Sequence, residues 1–279
     1  MTSDCYYKKK IFFKKGLLDD CIDATYILHL EGNGRIENIY EQLEIYHPSK
    51  TVILFFNKGY EKCEKQLFKE TPPYDLVETY FNIFKDAKEN NYHNILILED
   101  DFMFNERILE PKNTSEISKF IHDKNRKKEE FMYVLGCLPI LQIPTTNYYH
   151  RKIVLKGGTH ACIYSPELRN KILQTDQKKI YDWDIYSNLY SKTYMFYQPL
   201  CYQLFHETEN RKHWIYMFII SDFFYFLLDY FQLDQKAEPG FSFFYWFSFV
   251  LFFVLLVLFI RILVVILQMF ASKKIKIKR

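Results

Sequence analysis

None of the six cysteines (Cys5, Cys21, Cys63, Cys137, Cys162, Cys201) sits at CxxC spacing, which removes the usual zinc-site signature. Their apolar neighbours predict buried free thiols in a reducing compartment, and no spacing argues for a disulfide framework. The chain has no internal repeat and no low-complexity linker. Its first sixteen residues are basic but hold only a short apolar run, Ile11 to Phe13, too little for a signal-peptide core. Acids are absent from Arg261 onward, where Arg261, Lys273, Lys274, Lys276, Lys278 and Arg279 lie. The net charge of +3 therefore belongs to the tail, and the rest is mildly acidic. That excludes a basic nucleic-acid-binding body and assigns the tail to a membrane surface.

What is present is apolar and aromatic. Hydrophobic residues make up 49% of the 279 and aromatics 19%, enough for a sizeable core in one large domain or two small ones. Residues 241–260 carry no charge, and about 20 helical residues span the ~30 Å hydrocarbon core of a bilayer. Arg261 interrupts, and the apolar run resumes over 262–271. The stretch 214–233 is also apolar, with Asp222, Tyr225, Asp229 and Gln232 spaced to form one polar stripe. It is either an interfacial helix or a second span. Without a signal core the body is expected on the cytosolic side, and the positive-inside rule puts the basic tail there too. A helical hairpin satisfies both expectations; a single tail anchor does not. The expected division is a body over 1–213, an amphipathic interfacial or membrane helix over 214–233, a transmembrane segment over 241–271 and a basic tail over 272–279.

Within the body, strand and helix signals alternate. Residues 24–30 (ATYILHL), 51–56 (TVILFF), 94–98 (NILIL) and 131–137 read as strands, the middle two as buried ones. Apolar periodicity predicts helices over 35–47 and 74–91, and 115–130 reads as a charged helix. Breaks are expected near 144–147 and 234–240. This pattern implies an α/β fold with a parallel sheet covered by helices on both faces. Ligands of such sheets bind beyond the carboxyl ends of the strands.

The strand 94–98 runs straight into Glu99, Asp100 and Asp101, giving ILILEDDF. Three carboxylates at the end of a buried strand repel one another unless a cation joins them. Hard divalent cations bind through one or two carboxylates plus substrate phosphates, and such a metal neutralises a departing nucleotide diphosphate. The alternative is an acid cluster at a helix start or a solvated turn.

ILILEDDF after two strand–helix units resembles the DXD-type motif of GT-A-fold glycosyltransferases. The nearest likeness is to glycosyltransferase family 25, which includes lipooligosaccharide and procollagen galactosyltransferase-like enzymes and related proteins of large DNA viruses. Other segments fit in the same order. Residues 26–30 with Arg35 resemble the opening strand and its nucleotide loop. Gly157-Gly158-Thr159-His160-Ala161 resembles a segment whose small residues let backbone approach the sugar. Tyr181-Asp182-Trp183-Asp184 resembles the acidic stretch facing the acceptor, and Gln198-Pro199-Leu200 with Gln203 the closing strand. The likeness covers about residues 25–213. A serine–histidine pair found before the acidic strand in bacterial members is not evident, which leaves donor and subfamily open.

The resemblance implies a GT-A-like nucleotide-diphospho-sugar transferase sheet, a Mn²⁺ or Mg²⁺ cofactor and a nucleotide-sugar donor such as a UDP-sugar. It also implies roles. Asp101 is the first metal ligand, assisted by Glu99, with His206 either completing the site or lying at the surface. Asp100 touches the ribose, orients a neighbour or caps structure. Arg35 pairs with a phosphate or is a solvated helix residue. Gly158 admits the sugar, and His160 contacts donor or acceptor or simply packs. Asp184 or Asp182 is the general base, with a helix N-cap the alternative for Asp182. The expected partners are the donor, a glycan, glycolipid or protein acceptor, and a lipid membrane. Two other functions compete. One is an inactive, membrane-anchored binding or structural protein. The other is a metal-dependent phosphohydrolase, disfavoured because no further Asp/His cluster supplies a second metal.

Overall fold

The computed structural model describes residues 5–204 and 221–277. Its centre is a seven-stranded sheet, built from β1 (Tyr6–Phe12), β2 (Ala24–Leu30), β3 (Thr51–Asn57), β4 (Ile95–Glu99), β6 (Phe131–Pro144), β7 (His150–Tyr164) and β8 (Lys192–Phe196). The strand order is β1-β3-β2-β4-β7-β6-β8. β2, β3 and β4 pair in parallel, as do β6 and β8, while β1 and β7 run against their neighbours. The expected purely parallel sheet is thus a mostly parallel one.

β4 shows why its sequence is uniformly apolar. Ile95 and Ile97 point into one core with Tyr80 and Phe84 of α2 (Pro72–Glu89) and Trp183 of α5 (Trp183–Tyr190). Leu96 and Leu98 point into the other, with Ile39 and Leu43 of α1 (Ile36–Ile45) and Ile117 and Ile121 of α3 (Pro111–Arg126). All four side chains are fully buried, so period-two alternation has no polar phase to display. α2, α3 and α4 (Pro166–Leu173) each open on a proline in the first turn, where a missing N–H costs nothing. The first two therefore begin a few residues before their apolar stripes do.

Several expectations change. No element is predicted for the basic amino terminus. It forms β1, an edge strand whose exposed Lys8, Lys9 and Lys10 blunt further strand pairing. Cys5 and Cys63 are not free thiols but a disulfide joining the start of β1 to the loop after β3. Their separation of 58 residues leaves no local spacing to read. Cys21, Cys137, Cys162 and Cys201 are free and buried, as expected. The break expected near 144–147 is the turn of the long β6–β7 hairpin. The Gly157–Ala161 segment lies inside β7.

After β8, the short β9 (Cys201–Gln203) pairs with β5 (Phe102–Phe104) in a separate two-stranded sheet. Gly136 makes this possible: β9 passes so close that a Cβ there would lie 1.8 Å from the Cys201 carbonyl oxygen. The Leu200 N–H also donates to the Leu135 carbonyl at 2.8 Å.

Two helices close the described chain, α6 (Ser221–Tyr230) and α7 (Gly240–Ile277). Gly240–Phe270 is long and apolar enough to cross a membrane, with mean hydropathy 3.4. Its first turns pack on the body: Phe241, Phe244 and Leu228 share a small core with Leu138 and Tyr202, and Gln142 donates to Tyr245 O and Ser248 Oγ. Among the described residues it is the one helix of that kind. Residues 214–220 of the expected second span lie outside the described residues, and the rest of it holds α6.

Gly136→Ala should test the close approach of β9. Any Cβ there meets backbone rather than a flexible side chain, and overpacking typically costs ~1–3 kcal/mol, more where backbone must move. Urea unfolding should show a loss at or above that range.

Candidate functional site

The acidic triplet lies where β4 ends, on the wall of a cavity of about 680 Å³. Besides Glu99, Asp100 and Asp101, the cavity is lined by Arg35, Gly158, Asp182 and Asp184. Seven of the nine predicted site residues therefore share one cleft, at the carboxyl ends of β2 and β4. His206 lies outside the described residues. His160 is the correction. It is fully buried behind the wall, its Nε2 3.4 Å from the Cys201 carbonyl oxygen and its ring edge-on to Phe241. Burial pushes its imidazole down to about 4, so it packs as a neutral ring and does not line the cavity.

Each acid has its own environment. Asp100 is 5% exposed and saturated. Its Oδ2 accepts from His29 Nδ1 (3.1 Å), the Leu30 N–H (3.1 Å) and Asn33 Nδ2 (2.6 Å), and its Oδ1 from Arg35 Nη1 (2.9 Å). Burial opposes its ionisation, but the His29, Arg35 and Asn33 donors outweigh burial and hold the carboxyl below its usual range. Four donors on one nearly buried carboxylate make it an organiser of its neighbours, the second of the roles open to it. It fixes the loop Gly32-Asn33-Gly34, whose glycines sit at φ +84° and +76°.

Asp101 accepts from Arg35 Nη1 at 2.9 Å and, through both oxygens, from Gln203 Nε2 at 3.0 Å. β9 is thus the element that completes its shell. Burial and Asp100 raise its pKa against the pull of Arg35 and Gln203. Arg35 is a bridge between two carboxylates, which raise its pKa despite burial. It is not a solvated helix residue.

Glu99 is raised to about 8, first by burial, then by the carboxylates of Asp101, Asp184 and Asp100. Its Oε1 accepts from Tyr80 Oη (3.2 Å) and Thr159 Oγ1 (3.3 Å). Asp182 caps α5, accepting from the Ile185 N–H at 2.9 Å, as its N-cap alternative predicts. Asp184 differs: its Oδ1 is buried with no partner among the described residues. An orphaned buried acceptor in a native fold calls for an explanation. Gly158, at φ +81°, lies beside both His160 and Gln203, where a Cβ would meet His160 Nδ1 at 3.3 Å.

A scan against protein-family models finds no match, and a search of curated proteins finds no relative. The chemistry is therefore read from the site itself. Among the described residues no three His, Cys, Asp or Glu side chains converge into a ready metal cage. A hard cation does not require one when a substrate diphosphate supplies the other oxygens. Asp101 and Glu99 are the groups that would hold it, with Asp184 on the wall of the same cleft.

Sequence reasoning missed Asn33, Tyr80 and Thr159. Asn33 carried a signal, sitting in a Gly-Asn-Gly turn after a strand. Tyr80 carried none, because its helical period reads as core. It is indeed core, with only its hydroxyl reaching Glu99.

Two outcomes follow. Asp100→Asn removes the charge on which His29, Arg35 and Asn33 converge. Breaking a buried ion pair typically costs ~3–5 kcal/mol, so chemical denaturation should show a loss of about that order. The second concerns Glu99 without divalent cation. Its folded pKa of about 8 exceeds the ordinary 4.5, so the native state holds a proton that the unfolded chain releases across that window. Stability should fall as pH rises from about 5 to about 8, and Glu99→Gln should flatten the decline. A slope unchanged in Glu99→Gln would assign it to other groups.

Proposed function

We propose that the chain is a membrane-anchored glycosyltransferase with a GT-A-like sheet, related to glycosyltransferase family 25. It moves a sugar from a nucleotide-sugar donor, with a UDP-sugar the first choice, to a glycan, glycolipid or protein acceptor, assisted by Mn²⁺ or Mg²⁺. The observation that supports this most is the meeting of Glu99, Asp101 and the unpartnered Asp184 in one cleft beyond the carboxyl ends of β2 and β4. That is where open α/β sheets bind ligands.

In this reading the cleft divides by chemistry. The Gly32–Gly34 loop, Arg35, Lys58 and Lys62 line one part and suit a diphosphate. A metal held by Asp101 and Glu99 would neutralise charge on the leaving diphosphate. Asp184 accepts the proton of the acceptor hydroxyl as that oxygen bonds to the anomeric carbon and the bond to the diphosphate breaks. Asp182 holds α5, and so Asp184, in place. Gly158 leaves room where a side chain would crowd the cleft.

The second reading is an inactive binding protein. The locking of Asp101 by Arg35 and Gln203 favours it, since a cation would have to loosen that shell. Orientation belongs to the same proposal. The Cys5–Cys63 disulfide and a basic tail beyond one span favour a body on the oxidising side. The cytosolic body expected from the amino terminus requires a second span within 214–233.

The test uses the full chain in detergent, a panel of UDP- and GDP-sugars, and Mn²⁺ or Mg²⁺. Nucleotide release should depend on metal, disappear in Asp101→Asn and fall ~10²–10⁴-fold in Asp184→Asn, the usual worth of a general base. A folded protein that binds donor without cleaving it selects the second reading.

A further inference from the structure

Docking of α7 on the body fixes which of its residues can lie in lipid. Phe241, Phe244, Tyr245 and Ser248 are buried against the body, so they are not available to span. From Phe253 to Phe270 every residue is exposed, 18 positions covering ~27 Å at ~1.5 Å each, close to a hydrocarbon core. Exposed Trp246 marks one interface, and the first tail lysine, Lys273, marks the other in sequence. Arg261 falls within a residue or two of the midpoint. It lies ~22 Å from Trp246 and ~18 Å from Lys273 along the axis, beyond the reach of a snorkelling side chain.

The helix also has two unlike long faces. At ~100° per residue, all five of its valines (Val250, Val254, Val257, Val264, Val265) lie within ~60° of Arg261, and Gln268 lies on the same side. Phe252, Phe259 and Phe270 lie opposite. The residues that dock on the body, Phe241, Phe244, Tyr245 and Ser248, share the phenylalanine side. The valine–arginine face therefore points away from the body.

We propose that this face binds a transmembrane helix of another protein that carries a carboxylate at mid-bilayer depth. Arg261 at the mid-plane is costly without a counter-charge, and intramembrane charges normally pair. Among the described residues no acid pairs with it. Asp229 is on α6, whose Leu228 packs with Phe241 and Phe244, at least 17 residues back along α7 from Arg261. A parallel second copy would set arginine against arginine. A carboxylate-bearing span matches the charge, and the β-branched valines offer it a stiff packing surface with little rotamer freedom to lose. The inference requires only that α7 lie in a bilayer and is independent of the cleft's chemistry.

The test reconstitutes the full chain, with a donor dye on its tail, into phosphatidylcholine vesicles. Leucine-rich peptides of about 20 residues are added with an acceptor dye and a central Asp, Leu or Lys. Energy transfer should show the Asp peptide associating about tenfold more tightly than the Leu peptide, and the Lys peptide not at all. Arg261→Leu, which touches no body residue, should erase the preference, and Arg261→Lys should keep part of it. Equal association of Asp and Leu peptides, or a preference that survives Arg261→Leu, overturns the proposal. If alkaline carbonate strips the chain from the vesicles, the bilayer placement of α7 fails, and this inference with it.

Discussion

Asp100 is the constraint around which the working end of the molecule is arranged. It sits one residue past a strand buried on both faces, where water cannot serve as its donor. A charged group there is stable only if protein supplies the hydrogen bonds, and every supplier comes from β2 or the loop after it. His29 and Leu30 end that strand, Asn33 forms the turn, and Arg35 precedes α1. Satisfying one carboxylate thus fixes the β2–α1 loop in space. That leaves Asp101 and Glu99, its neighbours, to face the cleft.

The consequence is a division of labour among chemically similar groups. Asp100 is held ionised by its donors. Glu99, starved of strong donors and surrounded by like charge, is held protonated. Asp101 lies between, balanced by Arg35 and Gln203. Three adjacent carboxyl groups in one cleft repel one another, and their environments separate them. The same separation is what a site requires if it is to receive a cation and a diphosphate, because each arrival changes which of these groups can ionise.

β2, β3 and β4 were legible in the sequence nearly to the residue, because strands buried on both faces show unbroken apolar runs. β1 was not, since its run of three consecutive lysines shows no strand alternation. The direction of β7 was not, because antiparallel and parallel neighbours of a buried strand carry the same residues. Acids at the end of β4 were legible as a cluster, yet their individual roles depended on donors such as Arg35 and Gln203, 65 and 102 residues away. Asp182 and Asp184 show the limit most clearly. Two residues apart and both on the cleft wall, one is consumed by a helix N-terminus and the other keeps a buried Oδ1 without a partner among the described residues. His160 follows the packing alternative, a polar residue among glycines that is buried behind the wall with its Nε2 beside the Cys201 carbonyl.

The membrane helix carries the same lesson in reverse. Read alone, the charge-free run 241–260 is a complete span, with Arg261 at its edge in headgroups. A residue cannot be buried in the body and in lipid at once, however, and Phe241, Phe244, Tyr245 and Ser248 are committed to the body, among them to Leu138, Tyr202 and Gln142. The span must then slide toward the tail by roughly three turns. That slide carries Arg261 from the edge to the middle, and Lys273 from beyond the membrane to its surface. A contact between Gln142 and one turn of helix, about 20 Å away along the helix axis, is thus what turns an ordinary flanking arginine into a buried charge that needs a partner.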